Sequence, residues 1–215
     1  NTDGAINTTD TSANVDAGFS ISTFTGDGSG TTVGHGLSKA PEIVFTKGRS
    51  FADAWHTQVY PSIVATKTLL FNTDGAETTS NAFSDTAPTS SVFSISTGYA
   101  SNTRTIVAYA FHSVDGFYKV GSYTGNGSAD GTFVYTGFRP AYVMWKRYDG
   151  AGQMWMIHDT DRSPYNPSSN YLAANTSGIE ASYPFVDFTS NGFKQRHTSS
   201  HANGSSEDYI YLAFA

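Results

Sequence analysis

Two His-containing stretches offer the most direct route to chemistry in this sequence. His158-Asp159-Thr160-Asp161 sets an imidazole beside a carboxylate, the pairing in which an acid orients a general base. A triad also needs an activated nucleophile and an oxyanion hole, and no Gly-x-Ser-x-Gly elbow occurs in the chain. The other reading of these residues is a strand end followed by an Asp-initiated turn. His197 and His201, in His-Thr-Ser-Ser-His, have a spacing that on a helix would bring two imidazoles to one metal ion. Here the flanking Ser, Asn and Gly predict a solvated hairpin tip.

Glycine-rich loops at Gly26-Asp27-Gly28-Ser29-Gly30 and Gly125-Asn126-Gly127-Ser128-Ala129-Asp130-Gly131 invite a phosphate or calcium reading. A phosphate cradle needs a following Lys-Ser/Thr or a strand-loop-helix context, and neither is present. Asp27 and Asp130 would begin a calcium shell without completing it, and Asx turns between strands account for the same residues. Glu42, Glu77, Glu180 and Glu207 are the only Glu residues, and none stands in a hydrolase signature. The expectation is therefore no enzyme, no metal and no cofactor.

The elements that must hold these residues show themselves through an internal repeat. Residues 21–29 match 120–128, and at the same offset Pro41 falls on Pro140, Val44 on Val143 and Lys47 on Lys146. Farther on, Trp55 pairs with Trp155, Asn72-Thr73 with Asn175-Thr176, Phe93 with Phe193, and Ala110-Phe111 with Ala213-Phe214. A small drift in the offset marks short loop insertions. The copies span 17–114 and 115–215, each about the size of a small β-sandwich. Residues 1–16, polar with one aliphatic anchor at Ile6, read as a connector or a disordered terminus.

Within each copy, short alternating or apolar segments stand between Gly, Asn, Asp, Ser and Pro clusters. Expected strands are 19–24, 42–47, 92–96 and 105–111, matched by 117–123, 141–147, 192–196 and 209–214. Residues 67–72, 132–136 and 154–158 add three more. No helical period is sustained. The predicted fold is all-β: two tandem homologous β-sandwich (jelly-roll-like) lobes, packed as one rigid unit because the link between them is short.

Comparing the copies sorts the aromatic residues, 15 Phe, 13 Tyr and 3 Trp. Trp55 and Trp155 coincide and are assigned to core packing. Tyr142 and Met144 replace Ile43 and Phe45, an apolar face in both copies, whereas Trp145 replaces Thr46. That substitution places Trp145 on an outward face or between lobes, with Arg147 on the same parity. An exposed Trp beside an Arg would stack a sugar ring and meet its hydroxyls; packing between lobes is the other reading. His35 has no His counterpart in the second copy.

Composition bounds the rest. The chain has 215 residues, 14% of them charged, with a net charge of −6, so phosphate binding has little electrostatic support and nucleic acid is not an expected partner. Zero Cys excludes thiolate sites and disulfides. No apolar run approaches the roughly 18 residues of a membrane helix, so no membrane insertion is expected. The opening residues lack the pattern of a signal peptide. Asn1 in place of Met points to a processed chain or a piece of a longer one.

Several segments together resemble a known family. Gly18-Phe19, Thr25 to Ser29, His35-Gly36-Leu37, Ala40-Pro41, Asp85 to Ser90, Gly121 to Ser128, Asp130 to Ala141, Ser190 to Lys194 and Tyr209 to Ala215 resemble a tandem β-domain module of virion proteins from marine tailed phages, found in tail-fibre or appendage-like proteins. The resemblance covers nearly the whole chain after Asp16. It implies a non-enzymatic structural or adhesive component on the virion surface, associating with copies of itself and other virion proteins and contacting host-envelope polysaccharide. It supplies no catalytic residues. The alternative is a free-standing extracellular glycan-binding module of an adhesin or polysaccharide-degrading protein.

Overall fold

The computed structural model describes residues 1–29 and 31–215; Gly30, the last residue of the first glycine-rich loop, lies outside the described residues. Among the described residues all regular structure is strand, so the chain is all-β. The strands are β1 (Thr8–Asn14), β2 (Phe19–Thr25), β3 (Thr32–Gly34), β4 (Ile43–Gly48), β5 (Trp55–Val59), β6 (Lys67–Leu70), β7 (Thr78–Thr79), β8 (Val92–Ser94) and β9 (Thr105–Phe111). They continue with β10 (Tyr118–Thr124), β11 (Phe133–Tyr135), β12 (Tyr142–Arg147), β13 (Met156–Asp159), β14 (Ser168–Ala173), β15 (Ala181–Thr189), β16 (Gly192–Gln195) and β17 (Asp208–Phe214). Two compact units result, one of Asn1–Phe71 with Glu77–Ser113, the other of Asn72–Ala76 with Val114–Ala215.

The first unit has a seven-stranded ladder, β1-β2-β9-β4-β5-β6-β7, and a separate pair, β3-β8. Alternation decides what faces its core: Ser20, Ser22 and Phe24 of β2 and Ile106, Ala108 and Ala110 of β9 are buried at every second position. Phe24 meets Phe93 of β8 edge to face at 6.3 Å, so the small pair closes over the large ladder.

Residues 1–16 are not a connector. β1 pairs along β2 from Thr8↔Phe24 to Asn14↔Phe19, and Ile6, only 3% exposed, enters the core and bridges in parallel to Val33. Their polar composition is that of an edge strand wetted on both faces, which one buried aliphatic residue suffices to anchor.

In the second unit the order is β10-β17-β12-β13-β14-β15-β16-β11. The shared runs β2-β9-β4-β5-β6 and β10-β17-β12-β13-β14, with the shared pairs β3-β8 and β11-β16, display the duplication as topology. The sheet curls into a nearly closed barrel, since Tyr123 near one end of the ladder touches Phe193 near the other at 6.0 Å.

The units diverge after β6 and β14. In the first, β7 ends after two residues; the chain turns through Ser84 and Asp85, both at positive φ, and sends Ala82 and Phe83 into the core. In the second, the nine-residue β15 continues until it pairs with β16 and joins the sheet into one. Its register against β14 slips, with Ser168↔Val186 but Asn170↔Ser182, so Tyr183, Pro184 and Phe185 bulge. Pro184 has no amide hydrogen to give a ladder and fits such a break.

Candidate functional site

Trp145 does not point outward. It is fully buried, in one core cluster with Val143 and Met156, stacked on His158 at 4.9 Å and 9°, and its Nε1 donates to the carbonyl of His201 at 2.8 Å. β12 is buried on both faces, with Val143, Met144, Trp145 and Lys146 all covered, so an apolar partner face says nothing about the other one. The first unit explains the Thr46 counterpart. Gly28 donates its amide to Ala100 O and Gly127 to Asn203 O, which aligns Tyr99 with Ala202, both buried. One unit thus combines Thr46 with Tyr99, the other Trp145 with Ala202, a large and a small residue exchanged.

Arg147 is an anchor. Its Nε donates to Asp149 and its Nη1 to Glu207, each at 2.7 Å. Glu207 also accepts from Ser200 Oγ at 2.8 Å and Tyr209 OH at 2.9 Å, so the group fastens the β16–β17 loop. Of the other two Trp residues, Trp155 is fully buried, while Trp55 is half-buried and stacks on Tyr109.

His158 and Asp159 form no dyad. Neighbours on a strand face opposite ways: His158 points inward with no exposure, while Asp159 pairs with Arg162 at 2.8 Å. Burial pushes the His158 imidazole down to about 3, which leaves a neutral ring packed between Trp145 and Tyr171. His35 is likewise buried and structural, its Nδ1 accepting from the Leu37 amide and its Nε2 meeting Thr89 O at 3.1 Å.

The glycine-rich loops hold backbone to backbone. Gly26 donates to Arg104 O and Gly125 to Glu207 O, and a Cβ at Gly125 would lie 2.2 Å from Gly204 O, so only glycine permits the approach. Amides committed in this way cannot cradle an anion. Asp130 pairs with Lys194, whose hydrogen bond and charge hold its carboxyl below the usual range. Among the described residues no three His, Cys, Asp or Glu side chains gather as a metal site would.

What the fold does gather is an open pocket of about 290 Å³ in the second unit, lined by Tyr171, Tyr183, Phe185, His197, Ser199 and His201. Tyr183 and Phe185, two residues apart on β15, share a face as strand alternation dictates and both line this space with rings 5.4 Å apart, at the point where β15 slips in register against β14. His197 stands edge-on to Tyr183 at 4.7 Å and 90°, and Tyr171 closes edge to face on Phe185 at 5.5 Å. Tyr183 is 48% exposed.

Ser199 and His201 come from the loop that Trp145 and Arg147 fasten. Burial lowers the affinity of His201 for a proton, with His197 and Lys146 adding to the effect. A larger depression of about 540 Å³, equally open, lies over Ala141, Tyr142 and the turn 159–162, where Arg162 and Asp159 already satisfy each other.

His197 and His201 stand out in the sequence by their spacing, whereas Tyr171, Tyr183 and Phe185 do not. The available signal was the repeat itself: pairing of Thr57 with Leu69 and of Ile157 with Leu172 puts Thr68 of the first unit at the place of Tyr171, so the shared fold requires no aromatic ring there.

No curated protein and no solved structure matches the chain. One family does match, over residues 1–215, and the chain belongs to it: the domain of unknown function DUF7483.

Proposed function

We propose that this chain is a non-enzymatic structural and adhesive component of a phage virion appendage, displayed on the virion surface, that assembles with copies of itself and touches host-envelope polysaccharide through the pocket of its second unit. In this reading the two units are tandem homologous sandwich lobes of jelly-roll type. The observation that carries the glycan contact is the aromatic lining of the pocket, present in one unit where the shared fold manages with Thr68 in the other. Aromatic faces cover the apolar side of a pyranose while hydroxyl and imidazole groups meet its edge. The virion setting rests on the sequence resemblance.

The test is calorimetric titration with host-envelope polysaccharide fragments, repeated on Tyr183→Ala. Saturable binding that falls at least tenfold in the variant is the expected result. Binding that Tyr183→Ala leaves unchanged places any glycan contact elsewhere, and no heat from a folded protein contradicts the adhesive reading.

A further inference from the structure

Two of the polar groups lining the pocket, on His197 and Ser199, are set to donate, and no lining side chain is a carboxylate or an amide. Sugar hydroxyls both donate and accept, and a site for neutral sugars needs acceptors for those donors, commonly a carboxylate or a side-chain amide. None of the six lining residues is Asp, Glu, Asn or Gln. The Nδ1 of His197 accepts from the Ser199 amide at 2.9 Å, which fixes the proton of the neutral ring on Nε2 and makes that nitrogen a donor. Ser199 Oγ accepts from the His201 amide at 3.1 Å, leaving its O–H to donate. The nearest acid on this loop, Glu207, is consumed by Arg147, Ser200 and Tyr209. Lys146 adds positive charge that acts on His201.

The geometry points to a uronic acid as the ligand: a pyranose whose face lies on Tyr183 and whose carboxylate accepts from His197 Nε2–H and Ser199 O–H. Charge-assisted bonds of this kind are the stronger class, and no carboxylate lining the pocket repels the ligand. This inference rests on the glycan-binding reading above and narrows it from sugars in general to acidic ones.

The discriminating experiment titrates the folded chain at pH 7.5 with a galacturonate hexamer and, separately, with the carboxyl-reduced neutral galactose hexamer. The expected result is about tenfold tighter binding of the acidic hexamer, the difference of one favourable polar interaction. His197→Phe keeps the ring contacts to Tyr183 and Phe185 and loses the donor, so it abolishes the preference while leaving residual binding of both hexamers. His197→Gln, which restores an N–H, recovers part of the preference and serves if the Phe variant does not fold. Equal affinity of the native chain for the two hexamers overturns the uronate assignment and leaves the glycan reading standing. Binding of neither hexamer, with polysaccharide fragments also silent, overturns both.

Discussion

The indole of Trp145 and the imidazole of His158 lie stacked at 4.9 Å and 9° from parallel, with neither side chain reaching solvent. A ring nitrogen held this way cannot readily take a proton. The folded-state pKa of His158 falls from 6.5 to about 3 because of burial. As pH drops below 6.5 the unfolded chain takes up a proton that the folded chain refuses, so stability is fully present above that value and is lost progressively toward pH 3. The slope reaches at most about 1.4 kcal/mol per pH unit for this group. Denaturant titrations between pH 7 and 4 should show the decline, and His158→Phe, which keeps a ring against Trp145, should flatten it. An unchanged acid limb in that variant would contradict the assignment.

Lys146 predicts the opposite limb. Its side chain is fully buried on β12 and its pKa is lowered from 10.5 to about 8, chiefly by burial. Between those values the unfolded chain keeps a proton that the folded one has released, so stability rises from pH 8 toward pH 10. Above pH 10 the trend reverses, because buried Tyr99 and Tyr142, pushed up to about 12, resist the ionisation that the unfolded chain undergoes. Lys146→Met should remove the rise and increase stability at pH 7. Chemical denaturation of both proteins across this range decides the matter; a native chain with no rise between pH 8 and 10 would refute it.

The exchange of Thr46 with Tyr99 for Trp145 with Ala202 predicts coupling. Trp145→Thr should cost about 3–5 kcal/mol, the range for truncating a buried aromatic. Adding Ala202→Tyr should return part of that loss, since the first unit fills its core with that pair. A double-mutant cycle reads the interaction directly. Strict additivity, or a further loss in the double variant, would mean the two units solve their packing independently.

Much of the fold was legible in the sequence. The strand expected at 105–111 is β9, and those at 19–24 and 141–147 lie within a residue of β2 and β12 at each end, because their apolar patterning, alternating in β2 and β9 and continuous in β12, is local. β1 was hidden by its polarity, since an edge strand that is wet on both faces carries no hydrophobic period. β15 was hidden by Pro184 and by a register slip that only the partner strand reveals. The site suffered from the same limit. Trp145 was misplaced because one strand position cannot reveal that both sheet faces are covered. Tyr183 and Phe185 share a face by ordinary strand alternation, but Tyr171 reaches them only through the pairing of β14 with β15, which no local spacing reveals, whereas His197 and His201 were visible and lacked only their neighbours.

The central claim is that the β15 pocket binds carbohydrate, and the most direct measurement is an NMR titration of the isotope-labelled chain with host-envelope polysaccharide fragments. The account predicts saturable shifts concentrated at Tyr171, Tyr183, His197 and Ser199, with the first unit silent. Shifts concentrated in the depression at Asp159 and Arg162 or in the first unit, or a spectrum that does not change at all, would contradict it.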